Sequence, residues 1–114
     1  MENDAAHTKK IQELQMFEQT LQNQVMQKQM FEVELNEVGN ALSEVARSKD
    51  EVYKVLSGIM LRADKETLIK ELNEKKHLLE LRIAAVEKQE KVLGEKSHKL
   101  REEITAALKD SKKK

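Results

Sequence analysis

Apolar residues recur in alternating steps of three and four along most of the chain. Before residue 46, eight of ten positions at this spacing are apolar, in the series Leu14, Phe17, Leu21, Gln24, Lys28, Phe31, Leu35, Val38, Leu42 and Val45. After residue 68, nine of twelve are apolar, in the series Ile69, Leu72, Lys76, Leu79, Ile83, Val86, Glu90, Leu93, Ser97, Leu100, Ile104 and Ala107. A repeat sustained over several heptads is typical of a coiled-coil seam. The pattern predicts two long helices, over 5–48 and 65–110.

The two seams fit one another when the chain folds back on itself. If Val45 pairs with Ile69 in an antiparallel arrangement, the polar seam residues Gln24 and Lys28 fall close to Glu90. We therefore favour an antiparallel pair within one chain over a parallel pairing of two chains. A buried polar layer lowers stability but fixes the register of a coiled coil, which is our hypothesis for these residues. Asp64 is predicted to cap the second helix.

The stretch between the helices has a different character. VYKVLSGIMLRA, at 52–63, is rich in β-branched and apolar residues and has Ser57 and Gly58 at its centre, which predicts a β-hairpin, with a loop or a helical hinge as the alternative. Two strands cannot bury apolar groups on both faces, and their edges leave backbone groups unpaired. A closed β-barrel built with hairpins of other chains would satisfy both needs. The expected oligomerisation residues are Val52, Tyr53, Val55, Leu56, Ile59, Met60 and Leu61.

Composition agrees with helices rather than with a globular core. Charged residues make up 37% of the chain and aromatic residues 3%, and there is no cysteine or proline. The 21 basic and 21 acidic residues balance, so the net charge indicates neither a nucleic-acid nor a membrane partner. The first ten residues lack the apolar core of a signal peptide, and no apolar run approaches the roughly 18 residues of a membrane span. We expect a soluble, cytoplasmic protein.

Candidate chemistry is sparse. There is no glycine-rich phosphate loop and no nucleophile with a matched base, so we predict no enzyme activity and no cofactor. Glu74 with His77 and Glu95 with His98 repeat a di-iron spacing. The two pairs lie 21 residues apart on one helix, about 31 Å at ~1.5 Å per residue, so no metal site is expected. The C-terminal KDSKKK suits the end of a helix, which favours solvation over nucleic-acid binding.

The residues at the hinge and in both helices resemble the prefoldin family, specifically its beta-type subunits. The likeness rests on QKQMFEVELNEVGNAL at 27–42, VYKVLSGIML at 52–61 and VEKQEKVLGEK at 86–96, with Val52, Tyr53, Lys54 and Gly58 as its clearest marks. Alpha-type subunits carry a longer linker with two hairpins, whereas this linker has room for one. The resemblance implies an all-α dominated fold: two long helices in an antiparallel coiled coil, joined by one β-hairpin that enters an intersubunit β-barrel. One prefoldin-like domain would span 1–114.

The resemblance also implies a function. Prefoldins are hexamers of two alpha-type and four beta-type subunits that hold non-native client polypeptides at the coiled-coil tips without ATP and deliver them to a cytosolic group II chaperonin. The tips here would be the two termini, and the expected client-binding residues are Ile11, Leu14, Met16, Phe17, Leu100, Ile104, Ala107 and Leu108. From the sequence alone, several of these residues are seam positions, whose first role is to pack the two helices together. The alternative is therefore a structural or scaffolding coiled coil whose hairpin only drives oligomerisation.

Overall fold

The computed structural model describes residues 2–112 and contains two helices and one hairpin. The elements are α1 (Glu2–Arg47), β1 (Val52–Leu56), β2 (Ile59–Ala63) and α2 (Lys65–Lys112). This confirms the predicted fold class of two long helices joined by one antiparallel hairpin. Neither described helix contains an apolar stretch suited to crossing a membrane.

The packing divides the chain into two units. Unit one joins the chain up to Lys28 with the chain from Ala85 onward, and unit two is the stretch 29–84, which contains the hairpin. The prediction of a single domain over 1–114 stays a prediction.

The heptad seam forms the core of both units. Every predicted seam position of α1, and every one of α2 except Lys76, is partly or fully buried. Leu79 is 2% exposed in unit two, and Val86 and Leu100 are buried in unit one. The 3.5-residue spacing keeps these side chains on one side of each helix, so they meet the partner helix along its length.

Contacts between the helices show their antiparallel pairing inside each unit. In unit one, Arg101 Nη2 donates to Glu18 Oε1 at 2.6 Å, and Lys10 Nζ lies 3.7 Å from Glu103 Oε2. In unit two, the Arg82 guanidinium lies over the Phe31 ring, 5.8 Å from its centroid. The pairs Lys10–Glu103 and Phe31–Arg82 lie within one residue of the register that pairs Val45 with Ile69. The pair Glu18–Arg101 is displaced from that register by about one helical turn.

A polar layer interrupts the seam of unit one. Lys28 Nζ lies 3.6 Å from Glu87 Oε1 and 3.8 Å from Glu90 Oε2. Gln24, which the sequence placed opposite Glu90, instead donates through Nε2 to Gln89 Oε1 at 3.2 Å. One oxygen of Gln24 and one of Glu90 are buried without a hydrogen-bond partner. The layer is therefore only partly satisfied, and it lowers the stability of the seam.

The hairpin closes through a type I′ turn. Its register pairs Val52 with Ala63 and Leu56 with Ile59, which leaves Ser57 and Gly58 as a two-residue loop. Both loop residues have positive φ, 50° and 78°, and this is the geometry that matches the twist of the strands. The sequence indicated a positive φ at Gly58 but not at Ser57. The structure confirms the hairpin and excludes the loop and the helical hinge.

Polar contacts fasten the hairpin to the helices in unit two. Asp64 caps α2 as predicted, because its Oδ2 accepts hydrogen bonds from the Thr67 backbone N–H at 3.2 Å and the Thr67 hydroxyl at 2.8 Å. The ammonium group of Lys65 donates to the backbone oxygens of Ser48, at 2.9 Å, and Ala46, at 3.4 Å. The first residue of α2 thus stabilises the end of α1, where carbonyl groups lack helical partners.

We predict that removing the whole ion pair from the polar layer stabilises unit one. The double variant Lys28→Leu with Glu90→Leu should raise the free energy of unfolding by about 1–2 kcal/mol, since apolar contacts replace an incompletely satisfied pair. Lys28→Leu alone should lower it, because Glu90 keeps a carboxylate in the seam without its cation. Urea unfolding followed by circular dichroism measures both.

The single variant Glu90→Leu is the matched control. It should change stability less than Lys28→Leu does, because Lys28 retains Glu87 as a partner. Equal stabilisation by Lys28→Leu and by the double variant would show that the two charges are not coupled.

We predict that the turn responds to backbone conformation alone. Ser57→Asn should stabilise the hairpin by about 0.5 kcal/mol, because Asn-Gly is the preferred type I′ pair. Gly58→Ala should destabilise it by about 1 kcal/mol through its positive φ, since a Cβ there meets nothing within 4 Å. Amide hydrogen exchange at Lys54 and Leu61 would measure both effects, and similar protection in the two variants would contradict the prediction.

Candidate interaction surfaces

The hairpin exposes apolar side chains on both of its faces. We call this set the hairpin surface: Tyr53, Val55, Leu56, Ile59, Met60 and Leu61, between 45% and 67% exposed. Val52, the seventh residue predicted for oligomerisation, is partly buried at the base of the hairpin. Six large apolar groups on a ten-residue element form a patch of the kind that marks an interaction site.

Ion pairs inside unit two neutralise the charges next to the hairpin surface. The Glu51 carboxylate accepts a hydrogen bond from the Tyr53 hydroxyl at 2.8 Å and another from Arg62 Nη2. Lys54 Nζ lies 3.5 Å from Glu71 Oε2. A neutral, apolar partner can therefore approach this surface without leaving an isolated charge away from water. Neither pair was predicted from the sequence, although the hairpin register sets Arg62 opposite Tyr53, two residues after Glu51.

The second predicted surface lies in unit one, near the ends of the two helices. The structure divides the eight client-binding candidates into three groups. Ile11, Met16 and Leu108 are exposed, and we call them the helix-end surface. Leu14, Phe17, Ile104 and Ala107 are partly buried in the seam, and Leu100 is buried at 8% exposure. Only the exposed group is available to a partner without movement of the helices.

Other exposed apolar side chains lie outside both predicted surfaces. They are Val25, Met26, Met30 and Val33 on α1, and Leu78, Leu81 and Val92 on α2. The heptad pattern does not predict an interaction role for them, because they fall off the seam. The signal that was present is the spacing of Met26, Met30 and Val33 at i, i+4 and i+7, which places them on one side of a helix.

The described residues contain no cluster of three or more His, Asp or Glu side chains arranged to hold a metal ion. His98 instead has its Nε2 2.9 Å from Glu102 Oε1, one turn further along α2. Glu74 and His77, the other Glu-x-x-His pair, are both exposed. This geometry gives no basis for a metal centre in the part of the chain that the structure describes.

Comparison with known sequences identifies a family. A family model described as prefoldin subunit matches residues 8–111. The prefoldin subunit beta of Pyrococcus furiosus is 36% identical over 98 residues, covering 84% of each chain. That of Thermococcus kodakarensis is 39% identical over 98 residues with the same coverage. That of Pyrobaculum islandicum is 37% identical over 90 residues, covering 77% of this chain and 72% of its own.

Comparison with solved structures agrees. The crystal structure of the prefoldin beta subunit from Thermococcus strain KS-1 superposes with a TM-score of 0.83 at 35% identity, covering 90% of this chain and 92% of that one. The beta2 subunit from the same strain gives a TM-score of 0.68 at 19% identity and shows likeness of fold alone. With two helices, one hairpin and matches over most of its length, the chain belongs to the prefoldin family of chaperone subunits, as a subunit of the beta type.

Proposed function

We propose that this chain is the beta-type subunit of a prefoldin hexamer, which it enters through the hairpin surface. The observation that supports this most directly is the exposure of six apolar side chains on both faces of a two-stranded sheet. One face could pack on a single partner, but two apolar faces and two open edges need neighbours on several sides. A closed β-barrel of hairpins meets that requirement.

The assembly we propose contains two alpha-type and four beta-type subunits and works in the cytoplasm. Its function is to hold non-native polypeptides without ATP and to transfer them to a group II chaperonin. Support for holding rather than catalysis comes from the hairpin surface and the helix-end surface: both consist of exposed apolar side chains, which suit unfolded chains that expose apolar residues. No nucleic-acid or membrane partner is proposed.

The helix-end surface is the proposed client site. Met16 is 69% exposed, and its flexible, polarisable side chain can adapt to varied apolar groups. Ile11 and Leu108 add exposed apolar area in the same unit. Helix ends open at lower cost than helix centres, so the partly buried Leu14 and Ile104 are accessible after small movements.

We predict that one charge on the hairpin surface prevents assembly. Met60→Asp should weaken association with an alpha-type subunit by about a hundredfold or more, because an unpaired carboxylate would be buried in the interface. The helical circular dichroism signal should stay unchanged. Native mass spectrometry of the mixed subunits measures the result.

Asn73→Asp supplies the control for Met60→Asp. It adds the same charge at an exposed position of α2, outside the hairpin, and should leave the hexamer intact. A hexamer of unchanged mass with Met60→Asp would contradict assembly through the hairpin surface.

We predict that polar substitution of the helix-end surface reduces client holding without changing assembly. The triple variant Ile11→Ser, Met16→Ser and Leu108→Ser should weaken suppression of client aggregation by about a hundredfold, since the three side chains each contribute roughly 1 kcal/mol of apolar burial. Light scattering of a thermally unfolded reporter protein, with the hexamer in increasing amounts, measures the change.

The matched control replaces three other exposed apolar residues of unit one: Val25→Ser, Met26→Ser and Val92→Ser. This variant should hold clients as the unaltered hexamer does. If the helix-end variant also retained full holding, the client site would lie elsewhere. A wild-type hexamer that held no client at all would favour the scaffolding alternative.

A further inference from the structure

One side of α1 in unit two, off the seam, combines exposed apolar side chains with exposed carboxylates. Met30 is 65% exposed and Val33 is 58% exposed, and Glu34 and Glu37 are exposed as well. Met30 lies four residues before Glu34, and Val33 lies four residues before Glu37, so the four side chains are neighbours on the helix surface. We call these four residues the α1 outer patch.

The carboxylates of the α1 outer patch are not neutralised by the chain itself. Within the part of the chain that the structure describes, neither Glu34 nor Glu37 makes an ion pair. No Lys or Arg lies three or four residues from either of them along α1. Arg82 of α2 lies over the Phe31 ring instead. The two like charges therefore repel each other one turn apart, and a cation between them would relieve that repulsion.

The charge of the surrounding helix adds to this effect. The stretch 29–46 contains four glutamates and no Lys or Arg, although the whole chain has 21 basic and 21 acidic residues. This stretch is about 27 Å of helix at ~1.5 Å per residue. A sustained run of one sign attracts a partner of the opposite sign and orients its approach.

The hairpin surface in the same unit shows the opposite arrangement. There the Glu51 and Glu71 carboxylates pair with Arg62 and Lys54 of the same chain. That surface therefore fits a neutral, apolar partner, as described above. The α1 outer patch keeps its negative charge beside its apolar groups, and it fits a partner that supplies positive charge together with apolar side chains.

The outer side of α2 in unit two shows that apolar exposure alone does not define the patch. Leu78 and Leu81 have the same i, i+3 spacing as Met30 and Val33, and they are 47% and 55% exposed. Lys75 lies three residues before Leu78, however, and Arg82 lies directly after Leu81. A basic partner would meet these cations on α2, so the charge selects the patch on α1.

A helix is the shape of partner that suits this patch. The side chains at i and i+4 form ridges on α1, and the ridges of a second helix pack into the grooves between them. A partner helix with one apolar stripe would cover Met30 and Val33, and the flexible thioether of Met30 adapts to varied apolar groups. Lys or Arg residues beside that stripe would then reach Glu34 and Glu37, and Arg can bind a carboxylate through two hydrogen bonds.

We propose that the α1 outer patch is a docking site for a basic amphipathic helix of a partner protein. The inference goes beyond the proposed function, because it uses neither the hairpin surface nor the helix-end surface. Four residues are far fewer than the about 20–30 per partner in a standard interface, so we expect a dissociation constant on the order of 10–100 μM.

Three synthetic peptides of about 18 residues, or five helical turns, test the chemistry of the partner. The first forms a helix with a leucine stripe flanked by lysines, the second has glutamates in place of the lysines, and the third has the composition of the first in scrambled order. In fluorescence anisotropy with the full chain, the first should bind at least about tenfold more tightly than either of the others. Its affinity should fall about tenfold between roughly 0.05 M and 0.5 M salt, because salt screens exposed charges.

Two double variants of α1 test the site. Glu34→Gln with Glu37→Gln should weaken binding of the basic amphipathic peptide about tenfold and should reduce its dependence on salt. Met30→Ser with Val33→Ser should also weaken binding about tenfold but should leave the salt dependence unchanged, since it removes apolar contact alone. All four residues are exposed, so the helical circular dichroism signal should stay the same.

The outer side of α2 supplies matched control variants. Glu74→Gln with Glu80→Gln removes the same charge, and Leu78→Ser with Leu81→Ser removes a similar apolar pair, again at exposed positions of unit two. Both double variants should bind the basic amphipathic peptide as the unaltered chain does.

Three results would overturn the proposal. Equal weakening by the α2 variants would show that the peptide does not select α1. Equal binding of the scrambled peptide would show that charge alone is recognised, without an amphipathic helix. Self-association of the full chain that Glu34→Gln with Glu37→Gln abolishes, without binding of the peptide, would assign the patch to a second copy. The proposed function has its own test, because hexamer assembly and client holding should be unchanged in the α1 variants.

Discussion

A two-stranded sheet cannot cover its own faces or edges, and the rest of this molecule is organised around that constraint. The hairpin exposes apolar side chains on both faces, and in the described residues its sheet has two strands, so each strand keeps an open edge of backbone groups. The helices do not cover these groups, because their own apolar residues are used along the seam. The surface that remains unpaired is thus the surface through which prefoldin subunits are proposed to meet.

The hairpin holds its position through polar contacts. Lys65 binds the last carbonyls of α1, Asp64 caps α2, and Lys54 pairs with Glu71. These contacts are exposed or partly exposed, so each contributes little by itself. Their effect is to keep charges paired close to the hairpin surface. An apolar core between the hairpin and the helices would have used the same side chains that assembly requires.

The sequence predicted the features that follow from the periodicity of the chain, namely the seam and the turn. It did not predict the hydrogen bonds and ion pairs that depend on how far long side chains reach. Heptad spacing identified the seam residues, and Ser57 with Gly58 identified the turn, because both follow from backbone geometry. The bond of Gln24 to Gln89 rather than to Glu90 was not predictable, since long side chains choose among neighbours one residue apart. The same periodicity separates two of the client-binding candidates, because Leu100 is a seam position and is buried, whereas Met16 lies off the seam and is exposed.

The burial of Leu100 bears on how clients would bind in unit one. Ser97, one turn earlier in the same seam, is 3% exposed, and its hydroxyl has no hydrogen-bond partner. A buried, unpaired hydroxyl costs about 1–3 kcal/mol, and opening the seam there would return it to water. That gain offsets part of the cost of exposing Leu100. If clients bind at this end of the helices, the unsatisfied Ser97 therefore makes the buried candidates more accessible than a fully apolar seam would, and the exposed Ile11 and Met16 are available before any opening occurs.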